Sequence, residues 1–220
     1  MTRRLAAAAC AAAALCVAAG PAQAGGPPAR ITIVSVFDPI TFGERAFVNG
    51  QFVGDDDQGG QTVTLQELPF PFTAPWVDVA TTTTDYLGYY SFKRVPAAST
   101  HYRTVWNGQV VSEKEVQVGV APRIALSAAA AGRTSVRVSG TLAPAHTGQL
   151  ITIQRRNPSG TWTTIASPQL RGGAKFEARV RAHKPVVLRA FFAGDGDHLD
   201  GFSNAVRALP GRSQSRTGAR

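Results

Sequence analysis

The side chains able to do chemistry are few and scattered. Four histidines, His101, His146, His183 and His198, share no motif with a serine or cysteine nucleophile. No Gly-x-Ser-x-Gly elbow, His-Glu-x-x-His pair or phosphate-cradling glycine loop occurs. Cys10 and Cys16, the two cysteines, both lie in an apolar N-terminal run. These absences predict a protein that is not an enzyme and has no cofactor, with carboxylates meeting only in the fold as the one catalytic route left open. Two acidic clusters are candidates for a cation. Asp55-Asp56-Asp57 is one, and Asp195-Gly196-Asp197-His198-Leu199-Asp200-Gly201 loosely resembles a calcium loop. A true calcium loop needs a defined ladder of ligands and usually a closing glutamate, which is missing here. Aspartates between strands are ordinary turn chemistry, so no metal is expected.

Binding chemistry has three candidates. Pro69-Phe70-Pro71-Phe72-Thr73-Ala74-Pro75 is a loop stiffened by three prolines, with Phe70 and Phe72 offering large contact area. The two rings either project to a partner or fold down and cap the end of the domain. Tyr86 and Tyr89, around Gly88, form the second candidate, whereas Tyr90 and Phe92 share a strand face and belong to the core. The third is Arg137, Arg179 and Arg181, which the local alternation points outward. On neighbouring strands they would share one face and hold phosphate or carboxylate through bidentate contacts. An anionic cell-wall polymer is the natural ligand for such a face. Solvated charge is also what outward strand positions ordinarily carry. Trp76 and Trp162 occupy equivalent places and are assigned to packing.

The elements that must position these residues are strands. Val63 and Leu65 alternate with threonines; Val136, Val138 and Leu142 alternate with Arg137 and Ser139; Phe176, Ala178 and Val180 alternate with Glu177, Arg179 and Arg181. A period of two marks strands with one buried and one wet face. Breakers separate the runs, and Asn107-Gly108 is a tight-hairpin signal because both residues accept positive φ. No helical pattern follows Ala24.

The chain also repeats itself. Val48-Asn49-Gly50-Gln51-Phe52 matches Val138-Ser139-Gly140-Thr141-Leu142, and the run from Gly60 to Gln66 matches that from Gly148 to Gln154. Trp76 matches Trp162, Gly88 with Phe92 matches Gly172 with Phe176, Tyr102 to Trp106 matches Leu188 to Phe192, and Ser112 to Val118 matches Ser203 to Leu209. The order holds throughout, which divides the chain into copies at residues 29–121 and 122–209. About seven short strands per copy predict an all-β fold of two tandem immunoglobulin-like antiparallel β-sandwiches.

The ends read as an address and a tail. Arg3-Arg4, the apolar run Leu5 to Ala19, and Ala22-Gln23-Ala24 make residues 1–24 a signal peptide cut after Ala24. The run is too short to span a bilayer, and no other segment comes close, so no transmembrane segment is expected. Residues 210–220 form a basic tail with too little apolar content to fold. The whole chain carries +9, but unevenly: residues 25–121 sum to −4 and residues 122–209 to +8. No recognition helix, finger or aromatic-interleaved basic motif accompanies that charge, so nucleic acid is not expected as a partner.

The pattern of Val-x-Gly, Gly-Gln with alternating apolars, Trp-Thr-Thr, glycine with an aromatic strand, and a closing Gly-Asp resembles bacterial immunoglobulin-like repeats of secreted and surface proteins, especially actinobacterial ones. Through Thr84-Asp85-Tyr86-Leu87-Gly88-Tyr89-Tyr90-Ser91-Phe92 the first copy is also similar to transthyretin-like regulatory sandwiches. The Lys–Asn cross-link of collagen-adhesin repeats is not expected, because Lys93, Lys114, Lys175 and Lys184 all lie outside the early strands. The resemblance implies a secreted, non-catalytic binding or adhesion protein, in the envelope or outside the cell, with a protein or anionic polymer as partner. A passive spacer and an accessory or inhibitor subunit of an exported enzyme are the alternatives. The fold hosts many roles, and ligand and oligomeric state are not legible at this level.

Overall fold

The computed structural model describes residues 28–54 and 57–211. The expected leader, Asp55 and Asp56, and the tail from residue 212 onward lie outside the described residues. Every regular element described is a strand, as the period-two pattern requires, and none is a helix. No helix among the described residues is long and apolar enough to cross a membrane.

Two sets of sheets follow one plan. In the first, Ala46–Val53 pairs along one edge with Arg30–Ile31 and Val34–Val36 and along the other with Tyr89–Arg94. The facing sheet runs in the order Val77–Thr83, Thr62–Pro69, Thr100–Trp106, with Val110–Val111 and Val116–Val118 sharing the last edge. In the second set Ser135–Ala143 lies between Arg123–Gly132 and Lys175–Arg181. Its facing sheet runs Trp162–Ala166, Thr152–Arg156, Val186–Phe192, with Gly201–Phe202 and Val206–Ala208 sharing the last edge. All these pairings are antiparallel. The one parallel pair, Val120–Ala121 on Ile40–Thr41, ties the connecting segment to the first unit.

Each pair of sheets closes on its own apolar core. Ile31, Val48, Val63, Leu65, Tyr102 and Val118 are among the fully buried residues of the first, and Val136, Val138, Ile151, Ile153, Leu188 and Phe192 of the second. Burying such a side chain contributes about 1.5–3 kcal/mol, and these cores stand without any cysteine among the described residues. The alternation holds in detail: Phe176 and Val180 are buried while Glu177, Arg179 and Arg181 are exposed. Asn107 and Gly108 both have positive φ, and Gln109 N donates to Trp106 O, closing the hairpin that their types predict.

The register corrects two of the sequence matches. Tyr90 lies opposite Gly50 and Phe176 opposite Gly140, so Phe176 corresponds to Tyr90 and not to Phe92. A Cβ at either glycine would run into the ring across from it and into a backbone carbonyl of the neighbouring strand. A slip of two residues keeps every side chain on its face, so alternation alone does not detect it. In the last strand, Val118 lies opposite Thr100 and Ala208 opposite Val186, so the second copy is one residue shorter there. Ser112 and Ser203 remain equivalent: each hydroxyl accepts from the backbone N–H of Thr104 or Ala190.

Candidate functional site

The turn between Val77–Thr83 and Tyr89–Arg94 is the most exposed aromatic feature of the molecule. Asp85 Oδ1 accepts from Leu87 N and Tyr89 N, both at 2.9 Å, and Asp85 O accepts from Gly88 N at 2.9 Å. Gly88 has φ +83° and lies against the Phe52 carbonyl, leaving no room for a side chain. Its own carbonyl accepts from Phe52 N, and Gln51 Nε2 donates to Leu87 O. The turn is therefore fastened to the neighbouring strand. Tyr86 is 81% exposed, Tyr89 52% and Leu87 48%. Tyr90 is buried beside them, as its strand phase requires. Below Tyr89 a shallow groove is lined by Asn49, Gln51, Thr83 and Ser91.

The proline-framed loop has a different neighbour. Phe70 and Phe72 meet edge to face at 5.6 Å, and Phe72 lies 4.5 Å from the His101 ring. Phe70, still 40% exposed, covers Gly196 of the second sandwich so closely that a Cβ there would strike its ring. The loop thus forms part of the junction between the sandwiches, an arrangement that neither projection nor capping anticipates.

Arg137 and Arg179 stand directly opposite one another on adjacent strands, with Arg181 opposite Ser135 on the same outward face. Their guanidinium groups are partly engaged. Arg137 pairs with Glu177 at 3.2 Å, and Arg179 donates to Ser135 Oγ and Ala131 O. Trp76 and Trp162 are half-buried and pack outside the cores. Arg103 covers Trp76 at 4.5 Å and Arg189 covers Trp162 at 4.3 Å. Arg103 Nε donates to Gln66 and Arg189 Nε to Gln154, each just after a register shift at Leu65/Gln66 or Ile153/Gln154. The bulge is duplicated with the contact it aims.

One cluster joins the aspartate-rich loop of residues 195–201 to a histidine that the sequence does not connect with it. His146, from the turn after Ser135–Ala143, meets Asp195, Asp197 and His198, from the loop after Val186–Phe192. His146 Nε2 is 3.3 Å from Asp195 Oδ2 and 3.8 Å from Asp197 Oδ1, and His198 Nδ1 is 3.1 Å from Asp197 Oδ1. Burial pushes the Asp195 carboxyl up, but hydrogen bonds with Asp197, Gln149 and the His198 N–H, together with the electrostatic influence of the neighbouring His146 ring, outweigh it and hold the group down at about 2. The loop also carries the junction. His198 Nε2 donates to Ala97 O at 2.9 Å, Ser99 N to Asp197 O at 2.8 Å, and Leu199 N to Val120 O at 2.9 Å. The aspartate-rich loop alone signals a turn. Only His146, far upstream, makes it a cluster of donors. The available signal was the comparison of copies: residues 193–202 lie between Phe192 and Ser203, whereas only residues 107–111 lie between Trp106 and Ser112.

No protein-family model matches the chain, and no curated protein matches it in sequence. Among solved structures it is similar to a tetra-tandem repeat from the extending region of a large adhesion protein, with TM-score 0.37, 13% identity, and coverage of 82% of this chain and 49% of that one. It is also similar to trypsin-activated alpha-2-macroglobulin from Escherichia coli, with TM-score 0.35, 8% identity, and coverage of 87% and 17%. A red sea bream transglutaminase gives TM-score 0.38, 9% identity, and coverage of 84% and 32%. The chain spans about half of the first of these and less of the others. Likeness at this level assigns no activity.

Proposed function

We propose that the chain is a secreted, non-catalytic binding protein of the adhesion type that meets a cell-envelope polymer or protein through the Tyr86–Tyr89 tip of its first sandwich. The observation that carries this reading is the 81% exposure of Tyr86, with Leu87 and Tyr89 half exposed beside it, on a turn that Asp85 and Gly88 hold in one shape. Aromatic side chains on a rigid turn supply contact area with little ordering cost, which is how binding loops gain affinity. Phe70 and Phe72 are less available, being packed on Gly196 and His101. The arginine face is also less available, since Glu177, Ser135 and Ala131 occupy two of its three side chains. Export rests on the leader, and the absence of catalysis rests on the lack of any nucleophile motif.

Co-sedimentation of the processed protein with isolated bacterial cell walls tests this. Tyr86→Ser/Tyr89→Ser is expected to weaken retention about tenfold or more, two rings at roughly 1 kcal/mol each being sufficient. Unchanged retention removes the tip from the contact. No retention of the wild-type protein favours the spacer. Loss of retention with salt and on changing Arg137, Arg179 and Arg181 to Gln moves the contact to the basic face.

A further inference from the structure

The His146–Asp195–Asp197–His198 cluster has the construction of a metal centre. Its ligand atoms all lie within 4.8 Å of one another. Three separations between imidazole nitrogens and carboxylate oxygens, 3.1, 3.3 and 3.8 Å, bracket the spacing of about 3.3 Å between neighbouring ligands of a tetrahedral zinc ion. Both histidine side chains are nearly inaccessible, at 6% for His146 and 3% for His198.

The ring hydrogen bonds decide which nitrogen faces the cluster. His146 Nδ1 lies 2.9 Å from Pro144 O, and His198 Nε2 lies 2.9 Å from Ala97 O. A carbonyl only accepts, so each of these nitrogens carries the hydrogen, and in the neutral ring the lone pair falls on the other. Those others, His146 Nε2 and His198 Nδ1, point at the two aspartates. Holding a ligand imidazole by a backbone carbonyl on its far nitrogen is the usual outer arrangement of metal sites. Gln149 Nε2 plays the same part for Asp195, donating to Oδ2 at 2.8 Å.

An independent observation points the same way. His198 Nδ1 is buried and makes no hydrogen bond, although Asp197 Oδ1 is only 3.1 Å away. The carboxylate is close but lies off the direction of an N–H. A buried polar atom left in that state is costly, and an imidazolium there would waste its second N–H. A cation placed between the four ligand atoms satisfies it.

We propose that His146, Asp195, Asp197 and His198 bind one divalent transition-metal ion of the zinc type, and that this ion fixes the loop on which the two sandwiches meet. Two imidazoles and two carboxylates suit zinc, whereas calcium takes six to eight oxygens. Four protein ligands close the coordination sphere, which makes the site structural. The ion acts on the junction because its ligands are the junction: the far nitrogen of His198 holds Ala97, and the Asp197 carbonyl holds Ser99.

The test uses the processed full-length chain, freed of metal with a chelator and titrated calorimetrically with Zn2+ alone, then with Co2+ as a spectroscopic substitute. One equivalent is expected to bind, and Co2+ is expected to give the strong visible absorption of a four-coordinate site. Ring resonances of His146 and His198 move on binding while those of His101 and His183 do not. Zn2+ slows amide exchange at Ser99 and Leu199 at least tenfold. His146→Gln/His198→Gln lowers Zn2+ affinity at least a hundredfold. Should that variant not fold, Asp197→Asn, with a partly exposed side chain, lowers it at least tenfold. Absence of saturable Zn2+ binding, tighter binding of Ca2+, movement of the wrong ring resonances, or affinity unchanged in the variants overturns the site. Binding without slower exchange at Ser99 and Leu199 overturns its role at the junction.

Discussion

In the first sandwich Tyr90 lies over Gly50; in the second Phe176 lies over Gly140. The Tyr90 hydroxyl donates to the Thr32 carbonyl and accepts from Thr104 Oγ1 at 2.8 Å, whereas the place of Thr104 in the second copy belongs to Ala190. Tyr102, fully buried, likewise answers to Leu188. One backbone plan thus holds a core with two phenols and a core with none. The loops diverge in the opposite sense: the first copy closes its last connection with Asn107-Gly108, and the second expands it into the loop with Asp195, Asp197 and His198. Matching pairs of strands tolerate either filling, and what is particular to each copy sits in its core polarity and in its loops.

Alkali should separate the sandwiches most. Burial, foremost, pushes the phenols of Tyr90 and Tyr102 up to about 12, with the Glu67 charge adding to it for Tyr102. A group that keeps its proton longer folded than unfolded contributes stability that is whole below pH 10 and is lost as pH climbs from 10 to about 12. The loss amounts to about 2–3 kcal/mol per tyrosine. All four tyrosines lie in the first copy, so the second should be spared. Single-tryptophan variants keeping Trp106 or Trp162 would follow the two unfolding transitions, and coincident alkaline midpoints would contradict the contrast.

Converting one core into the other gives a smaller effect. Tyr90→Phe leaves the Thr104 hydroxyl buried without its partner and should cost about 1–2 kcal/mol. Adding Thr104→Ala, which reproduces Phe176 with Ala190, should restore about half of that. Urea midpoints at unchanged slope measure both, and a double variant no better than the single one would mean the swap is not self-contained.

The outer arginines give the smallest difference. Arg189 lies 4.3 Å from both Trp162 and Phe202, while Arg103 covers Trp76 only. Arg189→Met should therefore cost about 1 kcal/mol and Arg103→Met about half as much, since exposed cation–π contacts contribute about 0.5–1 kcal/mol each. Equal midpoint shifts would remove Phe202 from the second contact.

Much of the fold was legible because its causes are local. Alternation marked Phe176 and Val180 as inward and Arg179 and Arg181 as outward, and the register agrees. Asn107-Gly108 announced its hairpin, and strand phase separated Tyr89 from Tyr90. The partner of Tyr90 was not legible, because a shift of two residues preserves the pattern, and only the glycine across the sheet excludes the alternative. Nor was the neighbour of Phe70, which belongs to the other sandwich.

By itself the sequence determined the strand content, the duplication and which side chains face out, because each follows from residue types a few positions apart. Tertiary structure decided that Phe70 covers Gly196 and that His146 reaches Asp195, Asp197 and His198. Those meetings depend on how sheets close and how two bodies dock, and distant residues are brought together by packing that no local pattern encodes.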